Sequence, residues 1–242
     1  WQAPVAERVS AAVAKTLARE GASVAVVDIN LPEAKRVGAE IEAAGGSALV
    51  LQADVTRSAE VADMVEAVLE RWGTVDILVN GAGGFHRFAP ITDISEDEWD
   101  RVITLNLKTA FLCTKAVARI MIENRRGHII SIASGVGVGP NPYAPSYLPY
   151  GAGKAGLIGF TRLLARDLGC YGITVNTVSP GTTLTPRVRK VRDAASIEKI
   201  ASMNAMKCLV EPQDTAEAVL FLASDESCHI TGINMNVNAG NL

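Results

Sequence analysis

The sequence predicts an α/β fold with a doubly wound parallel sheet, in three layers with helices over both sheet faces. Short β-branched runs alternate with longer stretches of helical period, the order expected when strands feed crossover helices. The runs are continuously apolar rather than alternating, as strands covered on both faces must be. With 48% hydrophobic and 20% charged residues over 242 positions, the chain can bury a large core. No compositional shift marks a linker, so residues 1–242 read as one domain.

The strands expected from these runs are Ser23 to Asp28, Ala48 to Ala53, Asp76 to Asn80, His128 to Ser134, Thr174 to Ser179 and Asn234 to Val237. Helices fill the intervals. Pro32 stands near a helix start, Ser95 and Glu98 have the spacing of a capping box, and Gly45, Gly73 and Gly172 close helices. Gly135 to Pro149 reads as a Gly/Pro-rich loop between a strand and the next helix, its Tyr143 and Tyr147 serving as pocket lining or as surface anchors. Thr182 to Cys208, within a stretch of 182–210, has few strong apolar repeats and reads as a substrate lid or a solvated helix pair.

A formal charge of −3 with interspersed acids and bases gives no footprint for nucleic acid and no polybasic patch for a membrane. No apolar run reaches the length of a membrane span, and no signal peptide is expected. Cys113, Cys170, Cys208 and Cys228 are scattered, which points to reduced thiols, a cytoplasmic protein and no zinc or disulfide framework. The three histidines are equally dispersed, so no metal site is expected.

Tyr150 and Lys154 are four apart at the start of a helix and project from one face. A tyrosine with an ordinary pKa of roughly 10 needs about 4 kcal/mol of phenolate stabilisation to act as a base near pH 7. A cation about 4 Å away supplies about 4 kcal/mol at an effective dielectric of about 20, but only about 1 in bulk water, so such a site must be partly dry. Alone, this spacing reads more readily as a pair on a helix surface. Its neighbours at strand ends raise its standing: Asp28, Asp54, Asn80 with Gly81, Ala82 and Gly83, Ser134, and Pro180 with Gly181 fall on one rim of a parallel sheet. A carboxylate at Asp28 accepts bonds from adenosine ribose hydroxyls and repels a 2′-phosphate. Ile29 and Asn30 follow it in place of an arginine, so NAD is favoured over NADP. Asp28 read by itself is also an ordinary turn former.

Together these motifs resemble the short-chain dehydrogenase/reductase family over about Ala11 to Gly240. The family's Asn-x-Ala-Gly is matched by Asn80 to Gly83, its helix asparagine by Asn106, its serine by Ser134, its Tyr-x-x-x-Lys by Tyr150 and Lys154, and its Pro-Gly-x-x-x-Thr by Pro180 to Thr185. The resemblance implies a Rossmann-type fold and hydride transfer between a nicotinamide and a secondary alcohol or ketone. It implies Tyr150 as general acid/base, Lys154 as the group that lowers the Tyr150 pKa and binds the nicotinamide ribose, Ser134 as holder of the substrate oxygen and Asn106 as anchor of a relay water. Asp54 and Val55 would meet adenine, Asn80, Ala82 and Gly83 the adjacent ribose region, and Pro180, Gly181, Thr183 and Thr185 the carboxamide end. Phe85, His86, Tyr143 and Tyr147 suggest an apolar or cyclic substrate. A homotetramer or dimer, formed through the helices around Asn106 to Ile122 and Tyr150 to Leu168, is likewise implied.

The front of the chain departs from this pattern. Where the family has a strand running into Thr-Gly-x-x-x-Gly-x-Gly, this chain has Pro4, Arg8 and Ser10 in place of the glycines and no residues for the strand. That strand sits in the middle of the family's sheet, so its neighbours would present inward edges. Two readings follow: a working enzyme whose first strand precedes Trp1 or has been altered, or a catalytically silent scaffold or binding protein that has lost dinucleotide binding. Ser134 precedes Tyr150 by three residues more than is usual in the family. Tyr147 has the usual spacing but lacks a lysine four residues on, since Gly151 stands there.

Overall fold

The structure is a computed structural model that describes residues 9–85, 87–139 and 148–241. In chain order the main elements are α1 (Val9–Arg19), β1 (Ser23–Asp28), α2 (Leu31–Ala43), β2 (Ser47–Gln52), α3 (Ser58–Trp72), β3 (Ile77–Asn80), α4 (Glu96–Ile103), α5 (Thr109–Asn124), β4 (Gly127–Ile132), α6 (Gly135–Val138), α7 (Leu148–Leu168), β5 (Ile173–Pro180), α8 (Pro186–Val191), α9 (Ala194–Met203), α10 (Pro212–Leu222) and β6 (Asn234–Val237). All strand pairs are parallel. The expected strands are present, with ends shifted by one or two residues where caps and turns take over.

Side-chain alternation along β4 separates two cores. Ile130 and Ile132 face one side, where they meet Val13 and Leu17 of α1 and Val219 and Leu222 of α10. Ile129 faces the other, against Val65 of α3, Val117 and Met121 of α5, and Ala165 and Leu168 of α7. The result is three layers, with β5 buried along all of its length. Gly45, Gly73 and Gly172 close helices with positive φ (85°, 76° and 73°), and the Ser95 hydroxyl accepts the Glu98 N–H at 3.2 Å.

Among the described residues the sheet is in two parts, β1 with β2 and β3-β4-β5-β6. The facing edges of β1 and β3 border one cavity of about 1140 Å³. Val24, Val26, Ile77 and Val79 are among the residues that line it.

One segment differs from expectation, and a second carries helices as one of its two readings has it. Gly135 to Pro149 is not a loop throughout: it opens with the helical turn α6, and α7 has already begun at Leu148. Gly137 explains the turn, because a Cβ there would lie 2.7 Å from the backbone carbon of Lys154, so only bare backbone packs so closely on α7. Thr182 to Cys208 carries the helix pair α8 and α9, tied at its base by a parallel bridge between Thr183 and Val210. Among the described residues no helix is long and apolar enough to cross a membrane, and no group of three or more His, Cys, Asp or Glu residues is placed to hold a metal ion.

Candidate active site

The carboxyl ends of β3, β4 and β5 meet the first turns of α7. Asn80 ends β3, and its buried Nδ2 donates to Ser131 Oγ on β4 (3.2 Å) and to Thr114 Oγ1 on α5 (3.4 Å). The amide thus fixes the start of the glycine-rich turn after β3. Gly81 leaves room for Ser10, since a Cβ on Gly81 would lie 2.4 Å from Ser10 Oγ. Gly83 leaves room for the deeper groups: a Cβ there would sit 2.8 Å from Asn106 Oδ1 and 2.9 Å from Lys154 Nζ.

Asn106 lies in a π-helical turn, Thr104–Lys108, between α4 and α5, a local widening that recurs at functional sites. Its Nδ2 donates to Gly84 O (2.7 Å) and Val102 O (2.8 Å), and its Oδ1 accepts the Gly84 N–H (3.0 Å). This holds Gly84 at φ 150°, a conformation that L side chains resist. With both amide donors committed to carbonyls, what the side chain can offer a water is the second lone pair of Oδ1.

Lys154 sits one turn beyond Tyr150 on α7, with Nζ 5.7 Å from the Tyr150 ring centroid. It is 3% exposed, and Nζ donates to the Ile132 carbonyl at the end of β4 (2.7 Å). An ammonium carries three donors. The other two have no hydrogen-bond partner among the described residues. Burial disfavours the charged form and pushes the Lys154 pKa down to about 8.

Ser134 follows β4 and heads the turn α6, whose packing on α7 through Gly137 brings it to the Tyr150 end of that helix. Its Oγ makes no hydrogen bond to a described residue. Beside α6, Pro180 O lies 3.6 Å from the Cβ position of Gly135, and the Gly181 N–H donates to Val237 O (2.9 Å). Thr183 Oγ1 donates to Gly181 O (3.2 Å), while Thr185 caps α8 by accepting the Val188 N–H (3.4 Å).

Asp28, Val55, Asn80, Gly81, Ala82, Gly83, Phe85 and Thr185 share the lining of the 1140 Å³ cavity. Asn106, Tyr150 and Lys154 form a second cluster that joins it through Gly83 and through Phe85, whose ring centroid is 5.1 Å from that of Tyr150. Asp28 accepts the Asn30 N–H at 2.8 Å. Asp54 lies apart from the cavity, its Oδ1 accepting the hydroxyl (2.7 Å) and N–H (3.0 Å) of Thr56. The Thr56 hydroxyl first, then its N–H and the nearby Arg57, hold the Asp54 carboxyl below its usual range. His86, Tyr143 and Tyr147, like Pro4 and Arg8, lie outside the described residues.

Three contributors were not singled out from the sequence. Gly84 donates its N–H to Asn106 Oδ1 and accepts from Asn106 Nδ2, the Ile132 carbonyl receives Lys154, and Phe88 stacks on Phe85 with centroids 5.4 Å apart. The only advance signal was the Phe85/Phe88 spacing just after the glycines. Chemically, the cluster places a phenol next to a buried cation, above a floor of bare backbone. It can exchange a proton with a ligand oxygen and bind hydroxyls through the two unmatched ammonium donors.

Residues 5–241 match the family model described as enoyl-(acyl carrier protein) reductase. The chain is 39% identical over 223 residues to (2S)-[(R)-hydroxy(phenyl)methyl]succinyl-CoA dehydrogenase subunit BbsD of Thauera aromatica, covering 92% of this chain and 88% of that one. It is 39% identical over 241 residues to a (3R)-3-hydroxyacyl-CoA dehydrogenase of Canis lupus familiaris, covering 95% and 90%. A crystal structure described as a short-chain dehydrogenase/reductase from Burkholderia xenovorans superposes with a TM-score of 0.90 at 35% identity, covering 97% of this chain and 90% of that one.

Proposed function

The chain belongs to the short-chain dehydrogenase/reductase family, and from that premise we propose that it is an NAD(H)-dependent oxidoreductase interconverting a secondary alcohol and its ketone. Both relatives named above act on acyl groups carried on coenzyme A, and we place the reacting ketone on an acyl thioester of that kind. The observation that carries the reading is Lys154, buried one turn from Tyr150 with two donors to spare.

The residues present fit a nicotinamide dinucleotide. The two Lys154 donors without a partner among the described residues match ribose hydroxyls. Asp28 would hold the adenosine ribose, Val55 and Asp54 the adenine end, Asn80, Ala82 and Gly83 the middle, Tyr150 and Lys154 the nicotinamide ribose, and Pro180, Gly181, Thr183 and Thr185 the carboxamide. When bound, the cofactor supplies a hydride to the carbonyl carbon. Tyr150 gives its hydroxyl proton to the carbonyl oxygen, so ketone, hydride and proton balance as alcohol. With a pKa of about 8, Lys154 remains protonated by roughly ten to one at pH 7 and stabilises the phenolate left behind. Ser134 Oγ, uncommitted to any described residue, holds the same oxygen, and Asn106 Oδ1 anchors the water that returns the proton. Exposed Phe111 on α5 and Leu163 on α7 support assembly into a dimer or tetramer through those helices.

Cofactor choice gives the test. A 2′-phosphate about 4 Å from the Asp28 carboxylate is repelled by between about 1 and about 4 kcal/mol per charge pair, depending on how dry the rim is. NADH should therefore support ketone reduction at least about tenfold better than NADPH in kcat/KM, and Asp28→Ser should shrink that ratio. Equal use of both by the wild type would overturn the NAD assignment. One competing reading is a silent scaffold with the same fold. Calorimetry showing no binding of either dinucleotide would select it.

A further inference from the structure

Three rings run outward from the candidate active site. Phe85 lies 5.1 Å from Tyr150 with planes tilted by 51°, and Phe88 lies 5.4 Å from Phe85 with planes tilted by 56°. Both geometries are the tilted contacts that aromatic quadrupoles favour over a face-to-face sandwich. Phe85 follows Gly84, which Asn106 fixes by two bonds, so the inner end of the ladder is anchored on rigid backbone. Phe88 is held nearby by its flanking chain, where the preceding Arg87 donates from Nη2 to the Asp93 carbonyl (2.7 Å) and pairs with Glu98 (2.8 Å). Yet Phe88 remains 41% exposed, a large ring left partly in water just outside the candidate active site.

We propose that the Phe85 and Phe88 rings form a specificity subsite for an aryl substituent on the carbonyl carbon of the substrate. The inference rests on the assignment of Tyr150 to that carbonyl. An aryl group bonded to a carbon whose oxygen meets Tyr150 extends away from the hydroxyl over the neighbouring rings, where it adds another tilted ring contact and covers the exposed part of Phe88. A saturated ring of the same size gains the burial without the ring-to-ring term. The subsite therefore distinguishes aryl from cycloalkyl, which a merely greasy wall would not.

The test uses the full chain with NADH and three N-acetylcysteamine thioesters, of 3-oxo-3-phenylpropanoate, 3-cyclohexyl-3-oxopropanoate and a linear 3-oxo acid. The wild type should favour phenyl over cyclohexyl by roughly three- to tenfold in kcat/KM. In Phe88→Leu, which keeps apolar bulk but no π face, that ratio should fall toward one, mainly through KM, while the linear substrate changes by less than about twofold. A wild-type ratio near one, or a ratio unmoved in Phe88→Leu, overturns the aryl subsite alone. No reduction of any of the three removes the redox assignment and the subsite with it.

Discussion

Tyr150→Phe should lower NADH-dependent ketone reduction by roughly 10²- to 10⁴-fold, the range that a positioned general acid contributes. The loss should fall on kcat, because the hydroxyl acts on charge that develops in the transition state. The ring itself stays useful: its contact with Phe85 at 5.1 Å and the Lys154 ammonium at 5.7 Å from its centroid involve the ring and not the oxygen. Unchanged circular dichroism and thermal unfolding, with a KM within about threefold of wild type, would isolate the missing proton donor. Activity within a few-fold of wild type would remove Tyr150 from the chemistry.

Lys154→Met should move activity and stability in opposite directions. Activity should fall by roughly 10²-fold or more, since phenolate stabilisation and two hydroxyl-binding donors disappear together. Stability behaves differently because this ammonium is buried and its pKa is pushed down to about 8. Below that pH both the folded and unfolded chains carry the proton, and the folded state bears the full cost of about 3 kcal/mol relative to an exposed lysine near 10.4. Between pH 8 and about 10.4 the unfolded chain binds a proton that the folded chain has released, so this group makes stability rise with pH, and the gain levels off above. The variant avoids that cost but strands the Ile132 carbonyl, a loss of about 1 to 3 kcal/mol. At pH 7 its stability should match or modestly exceed the wild type, and the rise above pH 8 should be gone. Denaturant unfolding of both proteins from pH 7 to 10.5 measures this, and an equal rise in both would contradict it.

Much of this was legible in the residues because each signal was local. The strands at Ser23–Asp28 and Asn234–Val237 fall where the sequence places them, the first on the apolar run Val24 to Val27, and Gly73 and Gly172 end helices because a positive φ there suits only an unhindered backbone. The Tyr150 and Lys154 pairing on one helix face followed from the four-residue spacing alone. What was not legible depends on contacts between distant segments. The turn α6 exists because Gly137 packs against Lys154, and nothing in GVGV announces a neighbour seventeen positions on. The commitment of both Asn106 donors to Gly84 and Val102 depends on a widened helical turn that no residue type marks. Asp54 has the composition of a ligand contact, yet its carboxylate is engaged by Thr56 two residues on.

The most direct test of the redox assignment follows the transferred atom. NADH carrying deuterium at nicotinamide C4, on the face the enzyme uses, is incubated with the protein and a 3-oxoacyl thioester, and the product is examined by mass spectrometry. Hydride transfer at the Tyr150 site predicts one deuterium on the carbinol carbon, with labelled alcohol formed roughly 10²- to 10⁴-fold more slowly by Tyr150→Phe. Alcohol formed without the label, or no alcohol from either C4-labelled epimer, would contradict it.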